Sequence, residues 1–297
     1  MFISTDRPTI AWNIASSTPN DDATAVTSVN YLSDGKIAVP FRFTGDTGTQ
    51  TTSDFVHLFG GITGYNLRTG QLTVLAIMMP KTPYGTPAGV LITASFTGFV
   101  GMIPYSVSFS GRTVQLDDGS NIFIGIAASP QDFSPGVAAV HIFNDQNGAT
   151  WAAPGQSIDI GEIWFGTLQE FKNTTEPKRT LVDNVTNRRS HNNTNQPLFG
   201  PKPYYQWNYG FTPMPNATAY SGASVPTYSQ VEYALSQSRS ALIIGRIYTP
   251  GTTTINEDDV KFSTAFGRPA TNGLQQLAAV KDGPFWTAGL VFETQPP

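Results

Sequence analysis

Histidine is the residue type in this 297-residue chain best suited to metal binding or to acid–base chemistry near neutral pH. His57 and His141 lie in the apolar segments FVHLF and AVHIF, and His191 lies in the polar segment RRSHNNTNQ. These three histidines are far apart in sequence, and no HExxH or similar pair is present. The pattern favours packed imidazoles and a loop histidine over metal ligands, and we expect no metal ion and no cofactor.

Glu162 is the acid in the best setting for catalysis, because it lies inside the apolar segment SIDIGEIWFG. A glycosidase needs a second carboxylate across a cleft, and the paired acids at 21–22, 117–118 and 257–259 lie among turn residues. Cysteine and a GxSxG motif are absent, so neither a thiol nor a serine nucleophile has a recognisable setting. We therefore expect a protein that is not an enzyme.

Few charged residues are present, 13% against roughly 25% in average soluble domains. The net charge of −4 gives no electrostatic footprint for nucleic acid, and we expect no nucleic-acid partner. No segment approaches the ~20 consecutive apolar residues of a membrane span, so we expect no direct membrane insertion. A surface so poor in charge suits an all-β protein that buries part of its surface against neighbouring subunits.

Short β-type segments between turn signals predict an all-β chain, with a sandwich or barrel rather than βαβ units. We expect a first domain over 1–166, a polar connecting loop over 167–203 and a second β domain over 204–297. One segment of the second domain, 227–239, has capping-box spacing and an apolar stripe, and it predicts a helix. In YSVSFSGRTVQL the strict alternation predicts a strand with one wet face.

Two further groups are candidate interface residues. Alternation places three aromatic residues of the second domain on one face, where packing is favoured over sugar binding: Tyr205, Trp207 and Tyr209. The polar loop holds a basic group that is either solvated or docks an acidic partner: Lys172, Lys178, Arg179, Arg188 and Arg189.

The segment SIDIGEIWFG changes phase in its middle. Ile158 and Ile160 share one face by alternation, whereas Ile163 has the opposite parity. This pattern predicts a β-bulge at Gly161 and Glu162 that redirects the strand toward the next domain, with Glu162 exposed. Gly161, Glu162 and Trp164, in the same segment, are further candidates for a structural or interface role.

The order of the segments resembles a family of tail-tip proteins from long-tailed bacteriophages. The resemblance covers most of residues 55–270 and is carried by FGGITGYNLRTGQLTVLA, HIFNDQNG, IDIGEIWFG, YYQWNYGFTPM, YSQVEYALSQSRSALIIGRIYTPG and TAFGRPA. It implies a galactose-binding-like jelly roll followed by a small barrel-like β domain with one helix. In this comparison 65–67 match the turn before a jelly-roll strand, Gly161 and Gly166 match the exit strand, and 228–238 match the helix.

What the resemblance implies is a distal tail protein, a structural subunit that forms a hexameric ring between the tail tube and the tip complex. Its partners would be copies of itself, tail-tube and tail-tip hub proteins and tail fibres. Its place would be the tail tip of the virion, after synthesis in the cytoplasm of the host bacterium. The chief alternative is a carbohydrate-binding or receptor-binding tail protein that recognises host glycan, and a polysaccharide-degrading β enzyme is a third.

Overall fold

The structure is a computed structural model. It describes residues 2–4, 8–15, 23–26, 41–45, 55–79, 90–115, 121–143, 157–170, 178–182, 186–189, 195–198, 204–215, 241–245, 256, 258–259, 264–279 and 285–294. These residues are predominantly β-strand and form antiparallel sheets, with a helical turn at 258–259. The all-β prediction is confirmed, whereas the helix predicted at 227–239 lies outside the described residues.

The chain forms two compact units. One, which we call the sandwich unit, comprises Asp6–Leu168 with Thr253–Phe262; the other, the seven-stranded unit, comprises Met1–Thr5, Gln169–Thr252 and Ser263–Pro297. In chain order the first strand, β1 (Phe2–Ser4), belongs to the seven-stranded unit. The strands of the sandwich unit follow: β2 (Ile10–Ala15), β3 (Ala23–Val26), β4 (Phe41–Gly45), β5 (Phe55–Ile62), β6 (Leu72–Met79), β7 (Leu91–Val100), β8 (Ile103–Arg112), β9 (Val114–Gln115), β10 (Asn121–Ala128), β11 (Ser134–Phe143), β12 (Ser157–Ile160) and β13 (Glu162–Thr167).

Two sheets of the sandwich unit share one hydrophobic core. The larger has the order β2-β5-β11-β7-β8, and the smaller has the order β13-β6-β10-β9. One row of the larger sheet, Leu58, Val140, Ala94 and Phe109, follows directly from the strand registers and is buried throughout. The smaller sheet contributes Leu75, Ile77, Phe123, Ile163 and Phe165 to the same core. Strand alternation therefore builds the core of this unit from both sheets.

The four-stranded sheet is buried on its other face as well. Val74, Ala76, Ile122 and Ile124 have the parity opposite to the core residues of their strands, and all four are buried. Trp164 lies directly opposite Ala76 and is only 1% exposed. Trp164 is therefore an interior residue, which agrees with a structural role and leaves its side chain almost no exposed surface for a subunit contact.

The phase change at Gly161 has a different origin from the predicted bulge. β12 pairs with β4 in a three-stranded sheet, whereas β13 pairs with β6 in the four-stranded sheet. Gly161 lies between the two strands, and its N–H donates to the carbonyl oxygen of Met78 at 2.9 Å. Ile160 and Ile163 both enter the same core. The predicted β-bulge is therefore wrong. The parity of the inward-facing residues changes at Gly161 because the chain leaves the three-stranded sheet there and enters the four-stranded sheet.

The seven-stranded unit is built on the order β14-β1-β19-β20-β21-β18-β15. A separate two-stranded sheet joins β16 to β17. The bounds of these strands are β14 (Gln169–Glu170), β15 (Lys178–Val182), β16 (Thr186–Arg189), β17 (Asn195–Leu198), β18 (Tyr204–Pro215), β19 (Ala241–Ile244), β20 (Thr264–Ala279) and β21 (Phe285–Thr294).

The interpretation of 167–203 as a connecting loop is wrong for the residues that the structure describes. Within that run, β14 and β15 are strands of the seven-stranded sheet and β16 pairs with β17. A polar, turn-rich composition indicates a loop, but short strands with mostly polar side chains have the same composition. Pairing with β1 and β18, which lie far away in sequence, gives these segments their strand structure.

Candidate assembly surface

The outer face of the β7–β8 hairpin is lined by hydroxyl side chains. The register pairs Thr93 with Ser110, Ser95 with Ser108 and Thr97 with Ser106, whereas the residues between them enter the core. The serines of β8 are exposed, and the predicted wet face of this strand is confirmed. No residue from 90 to 111 carries a charge. The hairpin thus presents hydrogen-bonding groups without formal charge as far as Gly111, and Arg112, the last residue of β8, is its one charged residue.

The tip of the same hairpin is apolar and exposed. Phe99 is 64% exposed, Met102 96% and Ile103 59%, and Val100 and Val137 are also exposed. Gly101 makes the turn with a φ of +63°, a left-handed conformation that glycine adopts without a steric penalty. Large apolar side chains clustered at a convex turn are unusual on a protein that functions alone in water. We call the residues 99–103 the hairpin tip.

Close packing fixes the base of the hairpin tip. A methyl group on Gly98 would overlap the carbonyl group of Ser134 and the ring of Phe133, so β7 can approach β11 only with glycine at this position. Phe133 in turn exchanges two backbone hydrogen bonds with Leu67, at 2.9 and 3.0 Å. These contacts tie the start of the tip to two neighbouring segments and hold the exposed side chains on a rigid base.

A polar contact joins the loop before β6 to the turn before β11. The N–H and the hydroxyl group of Thr69 both donate to Oδ1 of Asp132, at 2.6 and 2.8 Å. The backbone and hydroxyl hydrogen bonds from Thr69 lower the pKa of Asp132, desolvation opposes them, and the nearby Arg68 makes a smaller contribution that also lowers it. Nearby, Ser134 and Asn66 share a short side-chain hydrogen bond. The cluster stabilises the loops and contains no nucleophile set against a base.

The register places His57 directly opposite His141 on β5 and β11. His141 is partly buried, and desolvation lowers its pKa, because burial disfavours the charged imidazolium. Its ring meets that of Phe59 edge to face at a centroid distance of 6.4 Å. The strand context predicted for both histidines is correct. Their pairing, however, was invisible in the sequence.

The other predicted site residues lie on two strands, one in each unit. Glu162 begins β13, at the register position opposite Met78. Tyr205, Trp207 and Tyr209 lie on β18, where the register sets Trp207 between Arg179 on one side and Phe292 on the other.

The basic residues are distributed over two sheets. Lys178 is exposed and lies on β15 with Arg179, whereas Arg188 and Arg189 lie on β16 in the two-stranded sheet. Lys172 lies outside the described residues. The structure therefore does not describe these five residues as one basic loop.

Across the described ranges, no group of three or more His, Cys, Asp or Glu converges as a metal cage would require. Within those ranges no helix is long and apolar enough to cross a membrane.

Comparison with known proteins gives no family assignment. Neither protein-family models nor curated protein sequences match this chain. A functional conclusion has to be drawn from the surfaces themselves. Sequence reasoning missed the hairpin tip, although its signal is legible: FVGMIP sets apolar residues around a turn glycine, between two alternating strands.

Proposed function

We propose that this chain is a structural, non-catalytic subunit of a bacteriophage tail tip, and that it acts by assembling with copies of itself into a ring. The observation that carries the proposal is the exposed hairpin tip beside an uncharged sheet face. The order of segments, which resembles that of distal tail proteins, supplies the biological setting and the expected hexameric ring.

An uncharged contact surface suits a second copy of the chain as the partner. Each copy carries a net charge of −4, and a contact surface without charge keeps like charges out of the contact between two copies. Residues 90–111 of the β7–β8 hairpin provide such a surface, because none of them is Asp, Glu, Lys or Arg. Arg112 lies at the end of β8, away from the hairpin tip. Interface centres are likewise depleted in charge and enriched in aromatic residues and Met, which Phe99 and Met102 supply.

The shape of the hairpin tip indicates how the copies would meet. In a ring, the hairpin tip of one copy would contact a different surface on the next copy. Such head-to-tail contacts generate closed rings when the rotation between copies closes. A stable contact needs about 800 Å² per partner, more than one turn provides. The hydroxyl rows that continue from the tip, such as Thr97 and Ser106, extend the surface without adding charge.

The path of the chain supports a jelly roll for the sandwich unit. Successive strands alternate between the two sheets: β5 in the larger, β6 in the smaller, β7 and β8 in the larger, β9 and β10 in the smaller, and β11 in the larger. β5, β11, β7 and β8 are neighbours in one sheet, and β6 and β10 are neighbours in the other. This winding is the kind that a jelly roll uses to cover two sheets with one chain.

The oligomeric state tests the proposal. Mass photometry of the full chain is expected to show a ring of about six copies, as the resemblance implies. The double substitution Phe99→Ser with Met102→Ser should shift the population to monomers while leaving the melting temperature unchanged, because both side chains are exposed. The matched control is Leu181→Ser, an exposed apolar residue of the seven-stranded unit that should leave the ring intact. A wild-type monomer at all concentrations, or a ring insensitive to the double substitution, would overturn it.

A further inference from the structure

The hairpin tip carries an exposed thioether group. Met102 directly follows the turn residue Gly101 and is 96% exposed, more than any other large apolar side chain that the structure describes. The other methionine side chains within the described residues are sheltered: Met79 is fully buried and Met78 is partly buried. A small oxidant in water therefore reaches the sulfur atom of Met102 far more readily than that of Met79.

The composition of the chain gives this sulfur atom added weight. The sequence contains five methionines and no cysteine, so no thiol competes for an oxidant. Oxidation of sulfur in this protein is thus confined to methionine thioethers, which form sulfoxides. Among the residues whose side chains the structure describes, Met102 is the one thioether fully open to solvent.

The reaction needs nothing beyond a peroxide. A lone pair of the Met102 Sδ attacks one oxygen of hydrogen peroxide, so that an S–O bond forms while the O–O bond breaks. The second oxygen leaves as water with both protons. Sulfur loses two electrons and the peroxide oxygens gain them. The product is methionine sulfoxide, which replaces a flexible apolar side chain by a polar, chiral one.

A sulfoxide at this position is harmless to the fold but not to a contact. In the free chain water solvates its oxygen, because Met102 lies outside the core. The neighbouring side chains of the hairpin tip, Phe99, Val100 and Ile103, have no hydrogen-bond donor. Burial of the tip against another copy would remove the water, and the tip offers no donor to replace it. A buried polar atom without a partner weakens the contact that buries it.

We propose that Met102 is an oxidation site that controls assembly: peroxide converts its thioether into a sulfoxide, and the sulfoxide keeps the hairpin tip from binding the next copy. The inference rests on the proposed ring and adds its regulation. Methionine sulfoxide is reduced enzymatically, so the modification is reversible. Oxidised copies are folded monomers that regain assembly once the sulfoxide is reduced.

Peptide mapping tests the selectivity of the oxidation on the full chain. Hydrogen peroxide is added below the concentration at which copies assemble, because a neighbour in the ring would cover Met102. Trypsin then releases Met102 in the fragment 82–112, of which it is the only methionine, and Met78 with Met79 in the fragment 69–81. Mass spectrometry is expected to show the gain of one oxygen in 82–112 well before any gain in 69–81.

Mass photometry tests the effect on assembly. The concentration at which half of the copies assemble should rise about tenfold or more after oxidation, with the melting temperature unchanged. Methionine sulfoxide reductases of both stereospecificities, with dithiothreitol, should restore the original value. Met102→Leu has no thioether at the tip, so peroxide should leave its ring population as it was before treatment. The matched control is Met214→Leu in the seven-stranded unit, which should respond to peroxide like the wild type.

The failures of the inference and of the proposed ring are distinct. Equal oxidation of the two fragments, or a ring that persists when Met102 is fully oxidised, would overturn the inference and leave the ring standing. Loss of assembly in peroxide-treated Met102→Leu would also overturn it, because another residue would then be responsible. A wild-type chain that is monomeric before any peroxide is added would overturn the proposed ring, and the control of assembly with it.

Discussion

The rings of Phe96 on β7 and Phe165 on β13 stack at a centroid distance of 3.5 Å and an angle of 8°. The two residues belong to different sheets, so this contact joins the sheets directly at the centre of the core. Tyr65 and Phe109 add edge contacts to the stack, at 5.6 and 5.7 Å. The sandwich is thus centred on an aromatic cluster to which segments from both sheets contribute.

Truncation of this stack should destabilise the sandwich strongly. Phe96→Ala or Phe165→Ala is expected to lower the free energy of unfolding by about 3–5 kcal/mol, since each leaves a large buried cavity. Urea unfolding followed by circular dichroism measures the loss, and the double variant should reveal a coupling of about 0.5–1.5 kcal/mol. Phe59→Ala serves as the control, because Phe59 lies on the outer face and is 37% exposed. A loss equal to that of the control would contradict the central position of the stack.

Gly98 should not tolerate a side chain. A Cβ there would overlap the Ser134 carbonyl group, and backbone cannot move away as a flexible side chain can. We expect Gly98→Ala to lower the melting temperature by several degrees through separation of β7 from β11. Gly61→Ala on β5 is the matched control, because nothing lies within 4 Å of its added Cβ. Equal melting temperatures for the two variants would show that β7 and β11 do not approach as closely at Gly98 as described.

The contact between Thr69 and Asp132 should make stability depend on pH under acidic conditions. The hydrogen bonds of the Thr69 N–H and hydroxyl lower the pKa of Asp132 below its ordinary value of 3.8. The folded state therefore binds this proton less tightly than the unfolded state. The stabilisation is complete above the ordinary pKa and is lost as pH falls through the lowered one.

Asp132→Asn tests this dependence. Wild type should be more stable than the variant at pH 7, and the difference should narrow as pH falls below about 4, because the charge that distinguishes them disappears. Urea denaturation at pH 7, 4 and 3 gives the three differences. A difference that stays constant over this range would mean that the carboxylate charge has no part in the contact.

Asn121 is expected to weaken the sandwich. Its side chain is fully buried, and neither its amide nitrogen nor its oxygen has a hydrogen-bond partner in the described structure. Unsatisfied buried polar groups cost about 1–3 kcal/mol, so Asn121→Leu should raise the free energy of unfolding. Thr113→Val provides the contrast, because the Thr113 hydroxyl accepts a hydrogen bond from the Val90 N–H at 3.0 Å. The free energy of unfolding should fall in Thr113→Val. A fall in Asn121→Leu as well would show that the Asn121 side chain has hydrogen-bond partners.

The sequence alone determined the fold class and many of the strands. Alternation in 105–109 predicted which side of β8 meets water, and composition predicted an all-β chain with little charge. Both properties are local, because side chains on a strand alternate whatever the strand pairs with. The strand context of His57 and His141 was readable for the same reason.

Tertiary structure decided which strands meet. No local signal places His57 opposite His141, because register depends on the pairing of two distant segments. The same limit explains the errors at Gly161, where a change of sheet looks like a bulge, and at 167–203, where polar strands look like a loop. It also explains Trp164, whose burial depends on what covers the second face of its sheet. Periodicity along one strand reveals its two faces, but the surroundings of each face are set by segments that lie elsewhere in the chain.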